Sequence, residues 1–192
     1  MTQAKPRFST FEEYLTYDDA DNSRYELIDG ELVELPPESE PNDWIALNLR
    51  DVLIQLVNRR LVRLHNCEIQ VPVLKKGDAQ NRYPDLVVLR EEHLALTQKR
   101  LTIKLDMPPP QLVMEVVSPG RQNRERDYER KRDQYCRIGI PEYWIINPEQ
   151  KTVLVLTLEG DVYVEVGQFR GNSPIISPLF SNLAIAPEQV FE

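Results

Sequence analysis

Residues 111–137, QLVMEVVSPGRQNRERDYERKRDQYCR, combine an apolar strand pattern with a charged helical pattern. We predict a buried strand over residues 111–119, in which the acid Glu115 interrupts the apolar run. A helix predicted over 127–138 carries one face spaced at three and four residues, formed by Tyr128, Lys131, Tyr135 and Ile138. A carboxylate inside a strand and a lysine inside an apolar helix face both break the local pattern. Such exceptions concentrate at functional sites.

The composition of the whole chain is that of a globular protein. A chain of 192 residues, of which 41% are hydrophobic and 28% charged, fits one domain with a sizeable core. The net charge of −8 argues against a general nucleic-acid coat protein, because affinity for the backbone comes from lysine and arginine. A local basic surface is compatible with that charge.

The sequence also bears on the cellular compartment. Apolar runs stay well short of the ~20 residues that span a bilayer, and MTQAKPRFSTFEEYL at the N-terminus lacks a signal-peptide pattern. Cys67 and Cys136 are far apart and belong to no CxxC motif, so they offer neither a disulfide framework nor a metal-thiolate site. We therefore expect a cytoplasmic protein without a membrane partner.

Helical and strand patterns alternate along the rest of the chain. Two β-hairpins are predicted, one at 24–35 around Asp29-Gly30 and one at 153–166 around Glu159-Gly160-Asp161. Helices are predicted at 10–17 and from 44 to about 62, and PDLVVL at 84–89 is a compact strand pattern. This order predicts a mixed α/β sheet with helices packed against it.

Three residues form a candidate catalytic site: Asp85, which begins the 84–89 strand, Glu115 and Lys131. If the two strands are neighbours in one sheet, the carboxylates converge near its edge. Two carboxylates suit a hard divalent cation such as Mg²⁺ or Mn²⁺, which lowers the pKa of a bound water and neutralises charge on a phosphoryl oxygen. A nearby lysine can orient that water or stabilise the transition state. The combination predicts a phosphodiesterase.

Each of these residues also has a purely structural interpretation. An acid after a proline, such as Asp85, is often a turn or cap residue. Glu115 can instead form a buried ion pair with an arginine, because a buried carboxylate without a partner costs several kcal/mol. Lys131 can extend along the helix to reach water. Asp127 suits a first helical turn, where the helix dipole favours an acid, and we favour that interpretation for it.

The segment 121–137 contains a basic cluster that includes Arg121, Arg124 and Arg130. In an acidic protein such a cluster predicts a surface that faces phosphates. Acids are interleaved with these arginines, however, so a solvated helix with surface ion pairs is the commoner explanation. His65 and His93 stand in no metal-ligand spacing, and the sequence shows no P-loop, nucleophile elbow or dinucleotide fingerprint.

Four segments in this order resemble the Uma2 family, also known as DUF820, within the PD-(D/E)XK nuclease superfamily. They are YELIDGELVEL (25–35), PDLVVL (84–89), LVMEVVSP (112–119) and DYERKRDQYCRIGIPEYWIINP (127–148). The resemblance runs from about residue 11 to 191, and the family is abundant in cyanobacteria. It implies an α/β (α+β) fold over 1–192, a single domain. Its restriction-endonuclease-like core, at about 43–148, would have a central mixed β-sheet flanked by helices, with added β-hairpins.

The resemblance also assigns the catalytic residues. Pro84-Asp85 matches the PD of the superfamily motif, and Glu115 matches the acid of (D/E)XK. The motif's lysine position is Val117 here, which cannot serve. In this family a lysine on the following helix is thought to replace it, and that position is Lys131.

The remaining family positions concern the metal and its surroundings. The resemblance implies that Mg²⁺ or Mn²⁺ is held by Asp85 and Glu115, with the backbone carbonyl of Val116 and the hairpin acid Glu31 as further ligands. Asp127 and Tyr135 match positions that the family tends to keep, in a supporting role.

Three functions follow. The resemblance implies a metal-dependent DNA endonuclease, as a homodimer because two-fold symmetry suits cutting two strands. Many family members have a histidine before the first long helix, where this chain has Asn42-Asp43-Trp44. This departure, Val117 and the net charge support a catalytically inactive nuclease-fold module that binds nucleic acid or assists assembly. A hydrolase of another phosphoester, acting on a small molecule, is the third hypothesis.

Overall fold

The computed structural model describes residues 6–17 and 23–192. The chain begins with helix α1 (Phe11–Leu15) and a hairpin of strands β1 (Tyr25–Ile28) and β2 (Glu31–Glu34). The hairpin turns at Asp29 and Gly30, whose φ angles are 50° and 82°. A Cβ on Gly30 would lie 2.7 Å from the carbonyl oxygen of Phe8, so this position requires glycine. The first predicted hairpin is confirmed.

The first long helix, α2 (Glu40–Leu53), begins and ends earlier than the sequence pattern predicts. Proline in its first turn favours the earlier start, since proline's fixed φ suits that position. The predicted end near residue 62 is wrong. The side chain of Asn58 accepts a hydrogen bond from the Arg60 N–H at 3.0 Å and begins a separate 3₁₀ turn, which leads into strand β3 (Val62–Leu64).

Short elements connect β3 to the strand that carries Glu115. Strands β4 (Glu68–Gln70), β5 (Asn81–Arg82) and β7 (Thr102–Ile103) form a small sheet in the order β5-β4-β7. Between them lie strand β6 (Leu86–Val88) and helix α3 (His93–Leu96). Strand β8 (Leu112–Val116) then carries the buried acid, so the predicted strands at 84–89 and 111–119 both form, with shorter ends.

A long helix follows β8. It is α-helical over Arg121–Glu125 (α4), π-helical over Arg126–Lys131 and α-helical again over Arg132–Arg137 (α5). We call residues 121–137 the crossover helix. The predicted start at residue 127 is wrong, because the first intrahelical hydrogen bond already runs from the Arg124 N–H to the Gly120 carbonyl.

Three further strands and a short helix complete the chain, namely β9 (Glu142–Asn147), β10 (Thr152–Glu159), β11 (Val162–Arg170) and α6 (Pro187–Val190). Within the described residues, six strands form a central sheet in the order β11-β10-β9-β8-β6-β3. Neighbours are antiparallel except β8 and β9, which are parallel and therefore need a crossover connection. The crossover helix provides it, and the second predicted hairpin is confirmed as β10 and β11.

The core lies between this sheet and the helices. Strands β8 and β9 are buried along their whole length, and Trp144, Tyr135 and Tyr143 are the largest fully buried side chains. The rings of Tyr135 and Tyr143 pack edge to face with their centroids 5.2 Å apart, and this contact joins the crossover helix to β9. The predicted α+β fold with a central mixed sheet flanked by helices is confirmed. In the described ranges, every helix is too short or too polar to cross a bilayer.

Candidate active site

Strand pairing brings Asp85 and Glu115 together. Strands β6 and β8 are antiparallel with Leu86 opposite Met114, so Asp85, just before β6, lies beside the end of β8. The backbone N–H of Val116 donates a hydrogen bond to Asp85 Oδ2 at 2.6 Å. Both carboxylates are largely buried, with 7% of Asp85 and 2% of Glu115 exposed. Asp85 is therefore a buried residue bonded to the neighbouring strand, and not only a turn or cap residue.

Glu115 is held by two side chains of the crossover helix. Lys131 Nζ lies 2.7 Å from Glu115 Oε2, and the Tyr135 hydroxyl donates to Glu115 Oε1 at 2.7 Å. The two residues are four positions apart, which places them on one helical face. Glu115 thus pairs with a lysine rather than with an arginine. Lys131 is buried and does not extend to water.

Asp127 joins the same cluster from the π-helical segment. Its Oδ1 lies 3.1 Å from Lys131 Nζ and 3.1 Å from Arg126 Nε. Its Oδ2 is buried and has no hydrogen-bond partner among the described residues. The interpretation of Asp127 as a first-turn acid is wrong, because the helix begins six residues earlier and the side chain is buried. π-Helical segments frequently mark functional sites.

The charges of this cluster shift one another's pKa. Burial, together with Asp85 and Asp127, raises the pKa of Glu115 to about 7 against the opposing effect of Lys131. For Lys131, burial acts to lower the pKa, but Asp127 and Glu115 outweigh it, so the pKa is raised and the ammonium persists. Burial and Glu115 hold the pKa of Tyr135 well above its usual value, so its hydroxyl remains a donor.

Asp85, Glu115, Arg126 and Lys131 line a pocket of about 260 Å³. Val116 and Ser118 at the end of β8 form part of its wall. Most of the remaining wall is charged, and its acidic and basic residues are Glu26, Glu38, Asp85, Glu115, Arg126 and Lys131. A cleft with four acids and two cations can bind a cation and orient an anionic group beside it.

A second group of side chains contacts Asp85 from the other side. His65 Nδ1 lies 3.3 Å from Asp85 Oδ1, and His65 Nε2 lies 3.1 Å from Asp43 Oδ1. Ligand atoms of Glu38, His65 and Asp85 all lie within 4.8 Å of one another, a separation compatible with a metal ion. Burial acts to lower the pKa of His65, but Asp85, Glu38 and Asp43 outweigh it and the pKa is raised.

The hairpin contributes a different acid from the one predicted. Glu31 is exposed and paired with Arg7, and it is not among the residues that line the pocket. Glu26, on the partner strand, lines the pocket instead and pairs with Arg82 at 3.0 Å. Side chains alternate between the two faces of a strand, and the sequence pattern did not reveal which face of this hairpin packs inward.

The predicted nucleic-acid contacts lie in two environments. Arg121 and Arg124 are exposed at the start of the crossover helix and share a shallow pocket with Tyr128. Arg130 is half-buried, and its guanidinium lies 3.0 Å from the buried carboxylate of Asp78. Two of the three arginines are therefore exposed to a ligand, while the third forms an internal ion pair.

The α+β fold, with its central mixed sheet flanked by helices, is a nuclease-like fold. A family model described as "Uma2: Putative restriction endonuclease" matches residues 11–188, and the chain belongs to this family. A solved structure of a "putative nuclease belonging to DUF820" from Anabaena variabilis ATCC 29413 is similar in fold, with a TM-score of 0.68 and 19% identity. That similarity covers 95% of this chain and 97% of the other. A comparison with curated proteins finds no match.

Proposed function

We propose that this protein is a metal-dependent DNA endonuclease that hydrolyses phosphodiester bonds, with a PD-(D/E)XK-type site whose lysine has moved to the following helix. One observation carries the proposal: Asp85, Glu115 and Lys131 line the same pocket, and Lys131 Nζ lies 2.7 Å from Glu115 Oε2. The family, described as "Putative restriction endonuclease", and the similar fold of the Anabaena protein, described as a "putative nuclease", support the same reaction class.

Asp85 and Glu115 would hold the metal, with the backbone carbonyl of Val116 as a third ligand. Carboxylate and carbonyl oxygens are the ligands that Mg²⁺ and Mn²⁺ prefer, so the donor set fits either ion. The bound ion would neutralise charge on the phosphoryl oxygen and lower the pKa of a bound water. Glu31 is left out of this ligand set because it is exposed and paired with Arg7.

Lys131 would position the attacking water and donate to a non-bridging phosphate oxygen. Glu115 and Asp127 hold its ammonium from two sides, at 2.7 and 3.1 Å, which reduces its freedom before the substrate binds. Attack of the water oxygen on phosphorus forms one P–O bond, and the bond to the leaving sugar oxygen breaks, which yields one phosphomonoester and one alcohol. Tyr135 supports the arrangement through its hydrogen bond to Glu115.

Arg121 and Arg124 would contact the DNA backbone from the exposed start of the crossover helix. Arg130 would contribute less, because its charge is shared with Asp78. We further propose a homodimer, in which two copies of the site would act on the two strands.

Plasmid cleavage in Mg²⁺, then in Mn²⁺, tests the proposal with Glu115→Gln and Glu31→Gln as a matched pair. We expect Glu115→Gln to lower the cleavage rate at least about a thousandfold, since a metal site supplies several kcal/mol of transition-state stabilisation. Glu31→Gln should cleave like the wild type. Equal cleavage by the wild type and Glu115→Gln would refute the assigned site.

One observation favours the alternative, an inactive nuclease-fold module that binds nucleic acid. Both oxygens of Glu115 already accept bonds from Lys131 and Tyr135, so a metal must displace or share at least one of these contacts. Calorimetric titration with Mn²⁺ separates the two hypotheses. Binding that is lost in Glu115→Gln supports the nuclease, and an absence of binding to the wild type supports the inactive module.

A further inference from the structure

We propose that Glu38, His65 and Asp85 form a second cation site, which takes Zn²⁺ rather than Mg²⁺. The inference deepens the proposed function, because Asp85 would serve both sites. It makes the Asp85 carboxylate a bridge between an oxygen-only site at Glu115 and a mixed nitrogen and oxygen site at His65.

The backbone of His65 is arranged to bring its ring to Asp85. His65 follows strand β3, and its N–H donates to the Asp85 carbonyl at 3.2 Å. Its φ of 47° lies in the left-handed region, where a non-glycine residue is strained by about 1 kcal/mol or more. Strain of this kind persists where surrounding contacts fix the conformation, and it clusters at ligand and active sites.

The two nitrogens of His65 have different surroundings. Nε2 lies 3.1 Å from Asp43 Oδ1, a hydrogen bond that places a proton on Nε2. Nδ1 is buried and lies 3.3 Å from Asp85 Oδ1, and it forms no hydrogen bond with acceptable geometry within the described ranges. In a neutral imidazole this leaves a nitrogen lone pair opposite a carboxylate oxygen, a repulsion that either a proton or a shared metal cation removes.

A carboxylate on the far nitrogen is the usual arrangement of a metal-binding histidine. Such a partner fixes the ring's orientation and tautomer and raises its basicity as a ligand. Asp43 occupies this outer position, so Asp43, His65 and the metal would lie in a row. Asp43 belongs to helix α2, which also fixes its position relative to β3.

The distances and the donor types fit one ion. Two ligands that each lie ~2.1 Å from a tetrahedral ion are about 3.4 Å apart, which is close to the 3.3 Å between His65 Nδ1 and Asp85 Oδ1. Glu38 is the third ligand and is held by Arg24, whose Nη2 lies 3.4 Å from Glu38 Oε1. Arg24 Nη1 also donates to the His65 carbonyl at 2.9 Å. Imidazole nitrogen shifts the metal preference from Mg²⁺ toward Zn²⁺.

His93 provides an internal control, because the sequence contains two histidines in all. Its Nδ1 accepts from the Arg90 N–H at 3.0 Å, and its Nε2 donates to the Pro108 carbonyl at 2.7 Å. Both ring nitrogens of His93 are therefore engaged inside a buried site and unavailable to a metal.

The test is long-range ¹H–¹⁵N spectroscopy of the tag-free, ¹⁵N-histidine-labelled chain during titration with Zn²⁺ and, separately, with Mg²⁺. We expect Zn²⁺ to give the large shift of the His65 Nδ1 signal that accompanies direct coordination and to leave the His93 signals in place, and Mg²⁺ to give no coordination shift in either ring. The unchanged His93 signals also report that each variant is folded. Asp43→Asn should weaken the Zn²⁺ response by about 10- to 100-fold, and Glu38→Gln should weaken it as well.

The outcomes separate this site from the proposed nuclease. Unmoved His65 signals at saturating Zn²⁺ would overturn the second site, as would a shift that is equally strong in Glu38→Gln. Neither result affects Mg²⁺-dependent cleavage that is lost in Glu115→Gln. A His65 shift that persists in Glu115→Gln supports the second site, even if the wild type proves unable to cleave DNA.

Discussion

Glu115 and Glu142 lie on the neighbouring parallel strands β8 and β9, and both are almost fully buried acids within apolar sequence. Their partners differ. Glu142 accepts hydrogen bonds from three neutral donors, the Trp144 indole at 2.6 Å, the Ser177 hydroxyl at 2.7 Å and the Leu179 N–H at 3.0 Å. Glu115 contacts a lysine and a tyrosine and lies among further carboxylates.

The difference shows what burial alone does not reveal. Glu142 fastens the C-terminal segment around Ser177 to the end of β9, which is a structural role. Burial raises the pKa of Glu142, while its three hydrogen bonds oppose the rise. At Glu115 the opposing charge comes from Lys131, which itself lines an open pocket. An acid in a buried strand is therefore a candidate for function only when its partners are charged and reach a cleft.

The largest effect on stability is expected when the Lys131 ammonium beside Glu115 is removed. Lys131→Met should lower the free energy of unfolding by about 3–5 kcal/mol, because it leaves Glu115 and Asp127 buried without the ammonium between them. Urea denaturation measures this change. Lys75→Met is the matched control, since Lys75 pairs with Asp133 on the surface and its removal should change little. Equal effects of the two substitutions would contradict the buried pairing.

The next largest effect is expected at Glu142. Glu142→Ala should cost about 3 kcal/mol of stability, because the buried indole of Trp144 and the donors near Ser177 lose their common acceptor. Thermal unfolding compares it with Glu149→Ala, an exposed acid just beyond β9. Cleavage at a temperature where the variant is folded should match that of the wild type. A variant that is stable but inactive would reverse the roles assigned to the two acids.

The pH dependence of stability should differ at Glu115→Gln. The folded-state pKa of Glu115, about 7, exceeds the ~4.3 of an unfolded glutamate, so folding favours the protonated form. Its contribution to stability is therefore complete below pH ~4.3 and is lost as the pH rises through about 7. In metal-free buffer, Glu115→Gln should lose less stability than the wild type between pH 5 and pH 8. Parallel curves for the two proteins would show that Glu115 is ionised throughout.

The smallest effects on stability are expected when one hydroxyl that bonds to Glu115 or to Glu142 is removed. Tyr135→Phe and Ser177→Ala should each cost about 1–2 kcal/mol, because each deletes a hydrogen bond to a buried carboxylate. Cleavage kinetics distinguish them: we expect a lower rate for Tyr135→Phe and an unchanged rate for Ser177→Ala. A slower Ser177→Ala at full folding would connect the Glu142 region to the reaction.

Local pattern identified Asp85, Glu115 and Lys131 as candidate site residues, but it left open whether the two strands that carry the acids are neighbours. Two short strands and one helical face determined these positions, and resemblance to the family supplied their pairing. His65 was missed because its proximity to Asp85 depends on the antiparallel pairing of β3 with β6, with Leu64 opposite Leu86. Residue spacing in the sequence gives no sign of that contact.

The wrong choice of hairpin acid and the wrong helix start have a second cause. The Asp29-Gly30 turn predicted the hairpin, but the choice between Glu26 and Glu31 depends on which face packs against β5. Likewise, the helical spacing of apolar residues predicted a helix over 127–138. It did not predict the earlier start, because residues 121–126 are polar or charged and add no apolar residue to that spacing. Exposed helical turns leave no apolar signal.

The π-helical segment Arg126–Lys131 acts as a phase shift within the crossover helix. Each residue inserted into an α-helix rotates the positions beyond it by about 100° relative to those before it. The exposed Arg121 and Arg124 and the buried Tyr135 thus belong to two helical registers of one continuous rod. A single secondary-structure element can in this way present one set of side chains outward and another to the sheet without a break in the chain.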